Sequence, residues 1–154
     1  MVIKTKVLTT VVALLTALFV TLPAAQGQAN AKEIQELVIK DSGILGAAKK
    51  YIGTPYCRGG AGPQCFDCSG FVKYIHQKQG IELPRTTHDQ YRVAHKISKA
   101  KAKPGDLVFF VTSKGYAYHV GIYVGNGKVL HSPKRGQDVR IVNIWTSKVR
   151  FARV

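Results

Sequence analysis

Three cysteines, Cys57, Cys65 and Cys68, fall within twelve positions of one another, and five histidines are spread through the rest of the chain. A thiol and an imidazole can together carry out nucleophilic chemistry if the thiol is partly held as thiolate and the ring can take and return a proton. Cys68 is the thiol best placed for this. Asp67 is a good helix N-cap, and Phe71, Val72 and Ile75 follow at the spacing of a buried helical stripe. A helix is therefore expected from about Cys68 to Gln79, ending at Gly80. In its first turn, unpaired backbone N–H groups and aligned peptide dipoles favour negative charge and lower a thiol's pKa.

The base must come from elsewhere in the chain. His76 lies two turns along the same helix and cannot reach back to Cys68, while His88 and His95 fall in a polar stretch; solvated histidines are expected at all three. His119 differs, because it opens the apolar run Tyr118-His119-Val120-Gly121-Ile122-Tyr123-Val124, and His131 ends the next such run. If the two runs pair across Gly125-Asn126-Gly127, residues whose numbers sum to about 252 face one another. His119 then lies opposite a position one or two beyond His131, and the two rings can be neighbours on one face. In that arrangement His131 fixes the tautomer of His119, the role of the third member of a catalytic triad. A core histidine satisfied by backbone is the alternative for either residue taken alone.

The elements that must position these groups can be read from pattern. Apolar residues Ile34, Leu37, Val38, Ile44, Leu45 and Ala48 suit one or two short amphipathic helices between Glu33 and Tyr51, broken near Asp41-Ser42-Gly43 and stopped by Gly53-Thr54-Pro55. Cys57 to Gln64 is a Gly-rich loop without the Lys-Ser/Thr of a phosphate-binding loop. Thr86 or Thr87 can cap a short helix through Val93, and a lysine-rich connector, Lys96 to Lys103, leads into Pro104-Gly105-Asp106. Leu107 to Thr112, Tyr118 to Val124, Lys128 to His131, Val139 to Asn143 and Val149 to Val154 read as strands. Helices first and strands afterwards predict an α+β domain with an antiparallel sheet.

Residues Met1 to Lys6 carry two lysines and no acid, and Val7 to Leu22 is nearly all apolar, ending at Pro23 in a small-residue stretch. That is the pattern of a secretory signal peptide, short for a membrane span of roughly 20 residues. Ala29-Asn30-Ala31 suits cleavage after residue 31, with a cut after Gly27 as the competing choice; residues 32–154 then form one domain with no stable membrane anchor. Loss of Lys4 and Lys6 lowers the formal charge from +15 to +13. Outside the cytoplasm such a field attracts cell-wall polymers, anionic headgroups and lipopolysaccharide. Nucleic acid is not an expected partner, because the lysines are scattered and not interleaved with aromatics on one face. A periplasmic or secreted monomer is expected.

Taken in order, Gly53-Thr54-Pro55-Tyr56, Gly59-Gly60, Phe66-Asp67-Cys68-Ser69-Gly70-Phe71-Val72, Leu83-Pro84-Arg85-Thr86, Lys103-Pro104-Gly105-Asp106-Leu107-Val108-Phe109-Phe110, His119-Val120-Gly121-Ile122-Tyr123-Val124-Gly125 and His131-Ser132 resemble the NlpC-type cell-wall peptidases, which are papain-like bacterial enzymes. The ordered set is specific, although single pieces such as Pro-Gly-Asp are not. The resemblance implies a papain-like α+β fold and a thiol hydrolase acting on peptidoglycan stem peptides, typically between D-glutamate and the diamino acid, or in some members at the cross-link. It makes Cys68 the nucleophile, His119 the base and His131 its orienter. Tyr56 is then expected near the oxyanion, and Asp67 and Ser69 at the substrate. No metal or organic cofactor is implied.

Members of that family commonly lack cysteines where this chain has Cys57 and Cys65. In an exported protein a Cys57–Cys65 disulfide that staples the Gly-rich loop is the preferred reading and leaves Cys68 free; a regulatory Cys65–Cys68 bridge stays open. Cys65-Phe66-Asp67-Cys68 also admits a zinc site, which would have to draw on Cys57 and His76, or a disulfide oxidoreductase, which would call for a strand before the helix. An N-acyl amidase on the same fold and a cationic wall-binding module without turnover complete the alternatives.

Overall fold

A computed structural model describes residues 43–154. The expected signal peptide and the Ile34, Leu37, Val38 part of the expected first helix lie outside the described residues. Among the described residues three short helices precede the sheet: α1 (Ile44–Lys49), α2 (Cys68–Gln77) and α3 (Thr87–Val93). The caps of α2 and α3 follow from local sequence. Asp67 Oδ1 accepts from Gly70 N at 2.7 Å, and Thr86 Oγ1 accepts from Asp89 N at 3.2 Å while donating to Asp89 Oδ2 at 2.7 Å. Each satisfies a first-turn N–H that has no partner within the helix.

Six strands form one antiparallel sheet: β1 (His95–Ile97), β2 (Leu107–Val111), β3 (Ala117–Gly125), β4 (Lys128–His131), β5 (Arg140–Asn143) and β6 (Val149–Arg153), in the order β1-β6-β2-β3-β4-β5. The β3–β4 hairpin has Ile122 opposite Leu130 and Tyr123 opposite Val129, the register expected from the turn. Asn126 and Gly127 both have positive φ, 49° and 68°, which matches the twist of the flanking strands in a two-residue turn.

β2 is buried throughout because both faces of the sheet are covered. Leu107, Phe109, Val120, Ile122 and Leu130 pack with Phe71, Val72 and Ile75 under the helices. Val108, Phe110, Tyr123, Val129 and Phe151 form a second cluster on the far face, closed by Ile97, Val142, Ile144 and Val149. Ahead of α2, Phe66 is fully buried, with the rings of Tyr51, Phe71 and Tyr74 around it at 5.3 to 5.6 Å. Burying such a ring contributes on the order of 2–3 kcal/mol and anchors the segment that carries Cys68.

The structure corrects the sequence reading at three places. Lys96 to Lys103 is not simply a connector: His95–Ile97 pairs with Phe151–Arg153, and Lys99–Lys101 forms a 3-10 turn. Main-chain groups of β6 need a partner there, and lysines suit a solvent-facing edge strand. His76 is not solvated but 1% exposed, its Nδ1 2.8 Å from Val72 O, because it extends the buried stripe by one position. Burial holds its pKa below the ordinary histidine value. His88 is half-buried and stacked on Tyr116 at 4.8 Å; of the three, His95 alone is exposed.

Candidate active site

Cys68 is the first residue of α2 and the one free cysteine among the described residues, half-buried against the main core. Its Sγ lies 3.5 Å from Oγ1 of Thr87, the first residue of α3. Cys57 and Cys65 form a disulfide with their Cα atoms 5.5 Å apart. The stapled loop packs directly on the first turn of α2: Asp67 N donates to Gly60 O at 2.9 Å, and a Cβ on Gly70 would run into that same carbonyl. Only glycine lets the two backbones approach so closely.

Around this turn Asp67 does more than cap. Its Oδ1 also accepts from Ser69 Oγ at 3.3 Å and Arg85 Nη1 at 3.0 Å, and its Oδ2 accepts from Gly59 N at 3.1 Å and Arg85 Nη2 at 2.6 Å. Arg85 Nη1 reaches Ser69 Oγ as well, at 3.0 Å. This is a forked guanidinium–carboxylate pair, and hydrogen bonding to Asp67 raises the Arg85 pKa further. Sequence reasoning assigned Arg85 no role. A contact across eighteen positions leaves no periodic trace, and its only signal was its place in the Leu-Pro-Arg-Thr run. Tyr56 stands half-buried beside the same turn, bridged to Phe66.

His119 and His131 are brought into direct contact, His119 Nε2 lying 2.7 Å from His131 Nδ1 with the rings nearly perpendicular at 86°. They are 9% and 4% exposed. Burial, and then the neighbouring His131, lowers the His119 pKa to about 3; burial, and then Arg140, lowers that of His131 to about 4. An imidazolium is costly in this setting, so both rings are neutral near neutral pH and share one proton in their bond. With Nε2 engaged, Nδ1 is the nitrogen of His119 left to act as a base.

The strand alternation puts both rings on the face of Phe110 and Val129, away from the face on which α2 packs. Trp145 lies flat on Phe110 at 4.0 Å, its ring centroid 5.9 Å from His119 and 5.4 Å from His131. Ser132 Oγ donates to Phe66 O at 2.8 Å, which ties the residue after His131 to the segment just before Cys68. Among the described residues no hydrogen bond joins Cys68 Sγ to His119; catalytic bonds are often open without substrate and tighten when it binds. Also among the described residues, no three His, Cys, Asp or Glu side chains cluster as a metal site would require. No described helix is long and apolar enough to cross a membrane.

A thiol at a helix N-terminus and a buried histidine held by a second histidine are the parts of a thiol hydrolase. Comparison with known proteins finds relatives named as endopeptidases. The probable endopeptidase p60 of Listeria innocua serovar 6a is 50% identical over 93 residues, covering 60% of this chain and 20% of that protein. The murein DD-endopeptidase MepH of Escherichia coli K12 is 47% identical over 98 residues, covering 60% of this chain and 36% of that protein. The chain thus spans about a fifth of the length of the Listeria relative and about a third of the other. Among solved structures, the NlpC/p60 domain of the peptidoglycan hydrolase SagA aligns with a TM-score of 0.64 at 40% identity, covering 73% of this chain and 96% of that domain. Helices packed on an antiparallel sheet in this order are the papain-like α+β fold of those domains. The NlpC/P60 family profile matches residues 53–152, and the chain therefore belongs to the NlpC/P60 family.

Proposed function

We propose that this chain is a cysteine endopeptidase of peptidoglycan stem peptides, with Cys68 as nucleophile, His119 as base and His131 as its orienter. The observation that carries the reading is the 2.7 Å bond between the two buried rings, which commits His119 Nε2 and leaves Nδ1 free for a thiol. The tautomer that does this has the proton on Nε2, donated to His131 Nδ1. Because burial holds His119 neutral, Nδ1 takes the thiol proton as sulfur attacks the scissile carbonyl. The oxyanion is held by the Cys68 backbone N–H at the start of α2 and by Tyr56. His119 then gives its proton to the leaving amine, and water hydrolyses the thioester with His119 again as base. These steps call on no metal or organic cofactor.

Asp67 and Ser69 contact the acyl side of the stem in this reading, held in place by Arg85. The preferred bond lies between D-glutamate and the diamino acid. A second reading, hydrolysis of the cross-link, draws support from the relative named as a murein DD-endopeptidase. Residues 1–31 would deliver the chain outside the cytoplasm, to the periplasm or beyond; the N-terminal sequence of protein recovered there checks this, and an intact Met1 would reject it.

Mass spectrometry of soluble muropeptides after incubation with the protein, beside Cys68→Ala, tests the reading. Disaccharide-dipeptide plus the complementary diamino-acid fragment, absent with the variant, supports the preferred bond. Cross-linked dimers falling to monomers support the second. Free whole stems would indicate an amidase, and no product under oxidising or reducing conditions would indicate a binding module.

A further inference from the structure

On the far face of the sheet a cleft of about 600 Å³ opens where the histidine pair ends, lined by His119, His131, Lys134, Arg140 and Trp145 among others. We propose that this cleft is the subsite for a carboxylate-bearing fragment on the leaving side of the scissile bond; the inference rests on the peptidase reading above. If His119 protonates the departing amine, the leaving fragment must lie against that ring, and this cleft is where the His119 ring forms a wall.

The lining has the chemistry for an aliphatic chain ending in a carboxylate. Lys134 and Arg140 contribute two cations, and no Asp or Glu lines the cleft. Arg140 lies opposite His131 in the β4–β5 register, and its Nη2 donates to Gln137 Oε1 at 2.9 Å. That bond orients the guanidinium plane and leaves further N–H groups for a forked pair with a carboxylate. His131 Nε2, the nitrogen turned away from His119, is buried and has no partner among the described residues. In the tautomer that makes His119 a base, this nitrogen carries a proton, so an acceptor entering the cleft would satisfy a donor that is otherwise orphaned. Trp145 is 52% exposed although it lies flat on Phe110, which makes it a rigid apolar wall for methylene groups. In a stem peptide cut before its diamino acid, the leaving fragment carries the methylene groups of the diamino acid and a terminal carboxylate, with the side-chain amine left to reach solvent at the cleft mouth.

Trp145 is the sole tryptophan of the chain, so its fluorescence reports on this cleft. The probes are L-lysyl-D-alanine and L-lysyl-D-alaninamide, which differ only in the terminal carboxylate, titrated into the full chain at low salt. The expected result is a saturable change in Trp145 emission, with the carboxylate bound about 10-fold more tightly than the amide. Lys134→Gln with Arg140→Gln should remove that preference without weakening the binding of the amide or lowering the thermal unfolding midpoint. Equal affinities in the unsubstituted protein, an undiminished preference in the double variant, or no Trp145 response to either probe would overturn the proposal. Binding needs no turnover: a chain that fails to cut muropeptides yet prefers the carboxylate keeps the subsite and loses the peptidase reading, and one that cuts without preference does the reverse.

Discussion

His131 holds His119 through the bond between their rings and also lines the cleft. Replacing it with Ala should lower kcat by roughly 10²-fold, a larger effect than that on KM, because the base loses its tautomer and its orientation while the cleft loses one donor. His131→Gln, which can still accept from His119 Nε2, should recover part of the loss in kcat; equal effects of the two substitutions on kcat, or a change confined to KM, would show that His131 does not orient the base. Burial of the pair also sets the response to acid. Both folded-state pKa values, about 3 and about 4, lie below the ordinary value of 6.5, so the unfolded chain binds protons first as pH falls. The stability these rings lend is complete above about pH 6.5 and is lost on the way down towards 4, on the order of a few kcal/mol between them. Unfolding midpoints measured from pH 7.5 to 4.5 should fall accordingly, and less so in His131→Gln. The acidic limb of kcat/KM should likewise lie below 6.5. A limb at or above 6.5 would show that the base is not the buried neutral ring described here.

At the scale of the elements, the hairpin β3–β4 is what holds the two histidines together. A Cβ on Gly121 would stand 2.5 Å from Val129 Cγ2 and 3.0 Å from His131 Cβ, so alanine there must push β4 away from β3. Gly121→Ala should cost roughly 1–3 kcal/mol in chemical denaturation and reduce activity beyond what the stability loss explains, because the 2.7 Å bond opens. Unchanged activity in the folded variant would mean that the spacing of the strands does not set the pair. This hairpin was legible in the sequence because a tight turn and period-two burial together fix a register, and Asp67 was legible because a cap and its helix are adjacent. Arg85 on Asp67, and Ser132 on Phe66, join segments eighteen and sixty-six positions apart, and no local pattern encodes such a contact. β1 escapes notice for a related reason: three residues, His95-Lys96-Ile97, show strand character only once β6 offers its edge. His76 looks solvated by residue type alone, but it follows Val72 and Ile75 on the buried stripe, and position decides its burial.

For the whole molecule the dominant feature is charge, +15 across 154 residues. If that field brings the protein to anionic wall polymers, co-sedimentation with purified sacculi should decline steeply between about 50 and 500 mM salt, as the screening length shrinks from roughly 14 to 4 Å. Cys68→Ala should sediment like the parent, since targeting and turnover are separate properties in this account. Salt-insensitive sedimentation would place recognition in the cleft and not in the field. The most direct test of the central claim is capture of the acyl-enzyme: brief incubation with soluble muropeptides, acid quench, and intact-protein mass spectrometry followed by peptide mapping. The account predicts an added mass equal to the acyl portion of the stem, located on the peptide that contains Cys68 and absent from Cys68→Ala. Hydrolysis that continues undiminished in Cys68→Ala would contradict it.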